Sequence, residues 1–147
     1  VLKAKEIITT VHAEYPKSPK LDFFEGKNAL RAGNSNLAKK SFEKAIRQGA
    51  RDPELYFLLG EVHWDLNKYS KSILSYERAL TTDASFEKAY KKIVQVSQKQ
   101  GSLDKLCDRW LIRYQNNSDN KMLREYLILA LHKADRYDEA KKLIREG

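Results

Sequence analysis

The chain has 147 residues, 41% of them apolar and 33% charged, with a formal net charge of +8. That balance excludes an intrinsically disordered chain, and no apolar run approaches the roughly 18 residues needed to cross a membrane. With only 6 glycines and 3 prolines against many Ala, Leu, Lys, Glu and Arg, an all-α fold is predicted.

In chain order, residues 1–18 read as one helix, with Ala4, Ile8 and Val11 on its apolar side and Pro16 after it. Residues 19–52 open with Ser18-Pro19, an N-cap side chain followed by proline at the first helical position. Asp52-Pro53 repeats that signal at the start of residues 53–86. Within 53–66, Tyr56, Leu59, Gly60 and His63 share one helical face. A turn is predicted at Asn67-Lys68, because Asn and Gly tolerate the left-handed conformation that ends a helix. Ile73, Tyr76, Ala79 and Leu80 then form the apolar stripe of a second helix. Ser85 is expected to cap the helix that starts near Phe86, within residues 87–120, and residues 121–147 close the chain.

These segments are copies of one unit. Gly26, Gly60, Val94 and Ile128 recur every 34 residues, as do Gly33, Asn67, Gly101 and Asp135. Ser35, Tyr69, Leu103 and Tyr137 keep the same step, and so do Ala38, Ser72, Leu106 and Ala140. Phe42, Tyr76, Trp110 and Ile144 form a fifth series and Ala45, Ala79 and Arg113 a sixth, all without an insertion. A fixed period of this length is the mark of stacked helical pairs. Glycine at the eighth position and Ala or Ser at the twentieth let two antiparallel helices approach. An aromatic at the twenty-fourth fills the gap, and each pair must stack on the next to bury its face.

The pattern resembles the tetratricopeptide repeat family. Unit 53–86 carries Tyr56, Leu59-Gly60, His63, Asn67, Tyr69, Ser72, Tyr76 and Ala79-Leu80 at the signature positions. Unit 19–52 matches through Gly26, Gly33, Ala38, Phe42 and Ala45-Ile46. Unit 87–120 is degenerate, with Val94, Leu106 and Arg113 where small residues are usual, and unit 121–147 is shortened. The resemblance implies a right-handed superhelical solenoid, with residues 1–18 as a half repeat or cap docked on the first full unit. A start at Val1 rather than Met suggests that a leader or further protein was removed on that side, while the polar ending KKLIREG reads as a true end.

Chemistry finds little footing in this sequence. His63, Trp64 and Asp65 are consecutive, but on a helix they point about 100° apart and cannot form a triad. His12, His63 and His132 show no metal-ligand spacing, and Cys107 has no CxxC partner. No enzyme activity, cofactor or metal is expected, and His63 and Cys107 read as core residues.

The resemblance instead implies a partner-binding inner surface on the first helix of each unit. Positions 2, 5, 9 and 12 of that helix lie about 130° from the seam positions. They supply the candidate partner-binding residues Phe23, Lys27, Phe57, Glu61, Trp64, Lys91, Gln95 and Leu129. Two readings stand for Phe23, Phe57 and Trp64: an aromatic patch open to a groove, or rings packed against one another between first helices. Phe23 and Lys27 occupy places where a carboxylate clamp would need Lys and Asn, so no such clamp is predicted.

The expected function is therefore a non-enzymatic protein-interaction scaffold that holds a peptide or helical segment of another protein in its concave groove. The alternative is RNA or an acidic partner on the basic surface, motivated by the net charge and by Lys88, Lys91, Lys92 and Lys99. Nucleic acid is disfavoured because no repeated base-reading pair is present. Self-assembly through an uncovered terminal helix is a further possibility. A lone cysteine favours the cytoplasm, with the bacterial periplasm or envelope as the alternative, since AEYPKSP (residues 13–19) is similar to joints in envelope repeat proteins.

Overall fold

Four helix starts follow from a local side-chain cap. In the computed structural model, which describes residues 2–14 and 18–147 apart from the side chains of residues 2 and 12, Ser18 Oγ accepts from Leu21 N at 3.3 Å. Asp52 Oδ1 accepts from Glu54 N at 2.9 Å. Asn34 and Asn120 do the same for Leu37 N and Leu123 N, at 3.1 and 2.9 Å. These side chains satisfy amide donors that no preceding turn can reach. The helices are α1 (Leu2–Glu14), α2 (Pro19–Arg31), α3 (Ser35–Arg47), α4 (Pro53–Asp65), α5 (Tyr69–Thr82), α6 (Glu87–Gln100), α7 (Leu103–Asn116), α8 (Lys121–Lys133) and α9 (Tyr137–Glu146). Pro16 and the side chain of His12 lie outside the described residues.

Ser85 is not the cap of α6. Its hydroxyl donates to Asp83 Oδ1 at 2.6 Å and its amide to the same oxygen at 3.0 Å. The cap position falls to Phe86, which has no side-chain acceptor to offer. A carboxylate two residues upstream draws both Ser85 donors into a local turn, a short-range competition the helix start loses.

The turns within the helix pairs fall where the repeat demands. Gly33 (φ 77°), Asn67 (φ 59°), Gly101 (φ 75°) and Asp135 (φ 60°) all take the left-handed conformation. The next amide in each case reaches back five residues, as in Lys68 N to His63 O at 2.8 Å and Arg136 N to Leu131 O at 2.9 Å. That is a Schellman closure, and it reverses the chain sharply enough for the following helix to pack antiparallel.

The chain divides into two compact units, residues 1–82 and 83–147. In the first, α2 pairs with α3 and α4 with α5, while α1 packs on α2 through buried Ile8. Its core joins Ala29, Ala38, Phe42, Ala45, Leu55, Leu59 and Val62. Gly26 and Gly60 explain the close pairing. A Cβ on either would lie 2.4 Å from the Phe42 ring or 2.5 Å from the Tyr76 ring. The rings at the twenty-fourth position therefore seat directly on glycine backbone. Asp22, at the fourth position where Tyr56 and Tyr90 stand in other units, is buried, with Lys44 Nζ of α3 at 3.5 Å.

In the second unit, Ile93, Val94, Leu106, Trp110, Leu123, Leu127 and Leu131 are buried. Val94 occupies the place of Gly26 and Gly60, so the Trp110 ring has no bare backbone to lie on. α6 and α7 accordingly meet less closely than α2 with α3 or α4 with α5. Tyr90 packs edge-on to Trp110 instead, at 5.7 Å between centroids. Arg136 ties α9 to α7, bonding Glu139 at 2.7 and 2.8 Å and Asp108 at 2.8 Å.

Candidate functional site

In the first unit, the predicted residues on α2 and α4 come together as one face. Lys27 Nζ on α2 lies 3.8 Å from Glu54 Oε2 on α4 and 4.3 Å above the Phe23 ring. The two first helices thus run side by side, and Phe23, Lys27, Phe57, Glu61 and Trp64 are all half-buried.

Each ring on this face is held by a ring from the paired second helix. Phe23 lies 5.9 Å from Phe42, Phe57 lies 5.3 Å from Tyr76, and Trp64 lies 5.2 Å from Tyr69, all tilted. A chain of supports follows. Gly60 admits Tyr76, Tyr76 props Phe57, and Phe57 stands at the surface; Gly26, Phe42 and Phe23 repeat the arrangement. Tilted rings at these distances attract one another beyond simple area burial.

Glu61 is engaged from below. The Tyr76 hydroxyl donates to Glu61 Oε1, while Ser72 Oγ donates to Gly60 O at 2.8 Å. Burial, and then the Glu61 carboxylate, push the Tyr76 phenol far above its ordinary range, so it stays a neutral donor. Sequence reading placed Tyr76 in the seam and Glu61 on the opposite face, and the bond between them was missed. A tyrosine where the preceding unit has Phe42 was the available signal, since a buried hydroxyl needs a partner.

In the second unit, α6 and α8 also run side by side. Tyr90 stacks on Tyr126 at 5.5 Å and 9°, and the Tyr126 hydroxyl donates to Glu87 Oε1 at 2.8 Å. Lys91 and Gln95 are exposed one turn apart on α6. Leu129 on α8 is 37% exposed. It lines a groove of about 590 Å³ between α8 and α9, with Glu125, Ile128, His132 and Ile144, and neither Lys91 nor Gln95 reaches it.

His63 is 5% exposed and Cys107 fully buried, its thiol pushed up to about 11 by burial. Among the described residues, no group of three or more His, Cys, Asp or Glu side chains is placed to hold a metal ion. Among the same residues, no helix is long and apolar enough to cross a membrane.

The family model described as tetratricopeptide repeat matches residues 25–87, from within α2 to the first residue of α6. Residues 25–87 carry the tetratricopeptide repeat. Solved repeat structures share its fold. The crystal structure of MamA aligns with 94% of this chain and 75% of its own at 21% identity, with a TM-score of 0.67. YrrB, described as a TPR protein with an unusual peptide-binding site, aligns with 97% of this chain and 75% of its own at 14% identity and a TM-score of 0.66. The second TPR domain of human RPAP3, solved in complex with an HSP70 peptide, aligns with 77% of this chain and 98% of its own at 15% identity and a TM-score of 0.56. No curated protein matches the sequence significantly.

Proposed function

We propose that this tetratricopeptide repeat chain is a protein-interaction module that seats an extended or helical segment of a partner on the α2–α4 face. The observation that carries the reading is the row of half-buried rings, Phe23, Phe57 and Trp64, each held from beneath and flanked by Lys27 and Glu61. Rigid aromatic anchors with a charged surround are the usual source of binding energy in peptide grooves. YrrB and the RPAP3 domain, whose descriptions name peptide binding, lend the reading support by fold.

The test is selection of binding peptides from a displayed library, followed by calorimetric titration of wild type and of Phe57→Ala/Trp64→Ala. The double variant is expected to keep its helical circular dichroism and to bind more than about 100-fold more weakly, as loss of two anchors implies. Selected peptides that bind both proteins with the same Kd would refute the assignment.

A further inference from the structure

The face opposite the rings carries a second feature. Lys39, Glu43, Ile46 and Arg47 recur at helical spacing along α3, and Lys71, Leu74, Ser75 and Arg78 do so along α5. These two stripes wall a groove of about 330 Å³ whose floor is Leu59 and His63 of α4. The volume sits at the small end of the range for ligand sites.

The charge is lopsided. Arg47, Lys71 and Arg78 line the groove with a single carboxylate, Glu43. Lys39 and Lys68 adjoin it closely enough that they and Lys71 repel one another, which lowers the Lys68 ammonium below its ordinary range, with Lys39 as the main cause. None of these five cations is ion-paired with a carboxylate among the described residues. His63 sits beneath them, 5% exposed, and its Nδ1 is buried without a hydrogen-bond partner. Crowded like charges above an unsatisfied polar floor are an unfavourable arrangement that a bound anion would relieve.

Leu74 identifies the kind of anion. It is 57% exposed in the groove wall beside Ile46, and no Phe, Tyr or Trp side chain lines the groove. A nucleic acid strand would want rings to stack on. A protein segment with carboxylates and an apolar residue matches both the cations and the aliphatic patch. We propose that the α3–α5 groove is a second binding site, distinct from the ring face, that takes an acidic peptide segment bearing an apolar side chain.

Protonation should be linked to binding. Burial first, and Lys39 next, hold the His63 imidazole below its ordinary range, with Lys68 and Lys71 adding and Glu43 opposing. Arg47 and Arg78 face the same groove. A bound carboxylate would offset these cations and favour the imidazolium, so affinity should rise as pH falls.

The experiment is fluorescence anisotropy at about 0.15 M salt, where surface charge attraction is largely screened. The probe is a labelled peptide of glutamates around a central leucine, compared with its glutamine counterpart and with a labelled single-stranded RNA of equal charge. Wild type is expected to bind the acidic peptide alone. Lys39→Glu/Lys71→Glu should weaken it at least about tenfold, and Leu74→Ser by about threefold. Phe57→Ala/Trp64→Ala should leave it unchanged, which separates this site from the ring face. His63→Gln should flatten the gain between about pH 8 and about pH 6. Each variant's thermal melt shows that it is folded. No binding of the acidic peptide, equal binding of its glutamine counterpart, equal binding by the Lys39→Glu/Lys71→Glu variant, or tighter binding of the RNA would each overturn the proposal.

Discussion

Replacing Gly60 with alanine tests the packing logic at its tightest point. Alanine is the better helix former, by about 1 kcal/mol in a helix interior, so propensity alone predicts stabilisation. The structure predicts the reverse. The new Cβ would lie 2.5, 2.6 and 2.9 Å from Tyr76 Cε1, Cδ1 and Cζ, against an ordinary contact of about 3.5–4 Å. The ring would have to withdraw by about 1 Å, but Tyr76 is fully buried, bonded to Glu61 and packed on Phe57. Overpacking of this kind costs about 1–3 kcal/mol, and a strained hydrogen bond adds about 1 kcal/mol. After the propensity gain, the net loss is about 2 kcal/mol, or about 4–8 °C in Tm for a chain of this size. Thermal and urea unfolding followed by circular dichroism measure it. The decisive arm is a double-mutant cycle with Tyr76→Ala, in which Gly60→Ala should become neutral or stabilising. If Gly60→Ala raises the Tm of the otherwise wild-type chain, the seam argument is wrong.

At the same repeat position, Val94→Gly should do harm for the opposite reason. Val94 is buried in a pair that has adjusted to it, so truncation leaves a cavity and loses about 2–4 kcal/mol by urea unfolding. Tyr76→Phe should lose about 1 kcal/mol at neutral pH. The Tyr76 pKa is raised on folding, so its contribution is complete below about pH 10 and is lost as pH climbs above that value. The variant should therefore unfold less steeply in alkali, measured as urea midpoint against pH. Cys107, buried and with its thiol held up near 11, should react with a thiol reagent at mildly alkaline pH only as the protein unfolds. Rapid labelling of the native protein would contradict that burial.

The repeat itself was legible because its positions are dictated by backbone geometry. Gly33, Asn67, Gly101 and Asp135 keep their 34-residue step since each must turn left-handed, and all four do. Gly26 and Gly60 were readable as close approaches for the same reason. What escaped the sequence were interactions that depend on reach rather than register. The Ser85 hydroxyl chose Asp83 over the helix cap, a competition between alternatives a few residues apart. The Tyr76–Glu61 bond crosses from seam to surface, which a division of each helix into two faces hides. Leu129 holds the same repeat position as Lys27, Glu61 and Gln95, but the groove it lines between α8 and α9 is not readable from that position. The basic α3–α5 groove was invisible because its members lie on two second helices and a floor helix, each stripe ordinary by itself.

The stacked support of Gly60, Tyr76 and Phe57 bears on how the ring face would recognise anything. A surface aromatic that swings freely must surrender rotamer entropy when a ligand pins it, about 0.5–1.5 kcal/mol for each side chain. Phe57 has already been stilled by folding, so little of that remains to be lost on contact. The corollary is evolutionary: a substitution at buried position 60 or 76, touching no ligand, would loosen the ring and change selectivity from underneath.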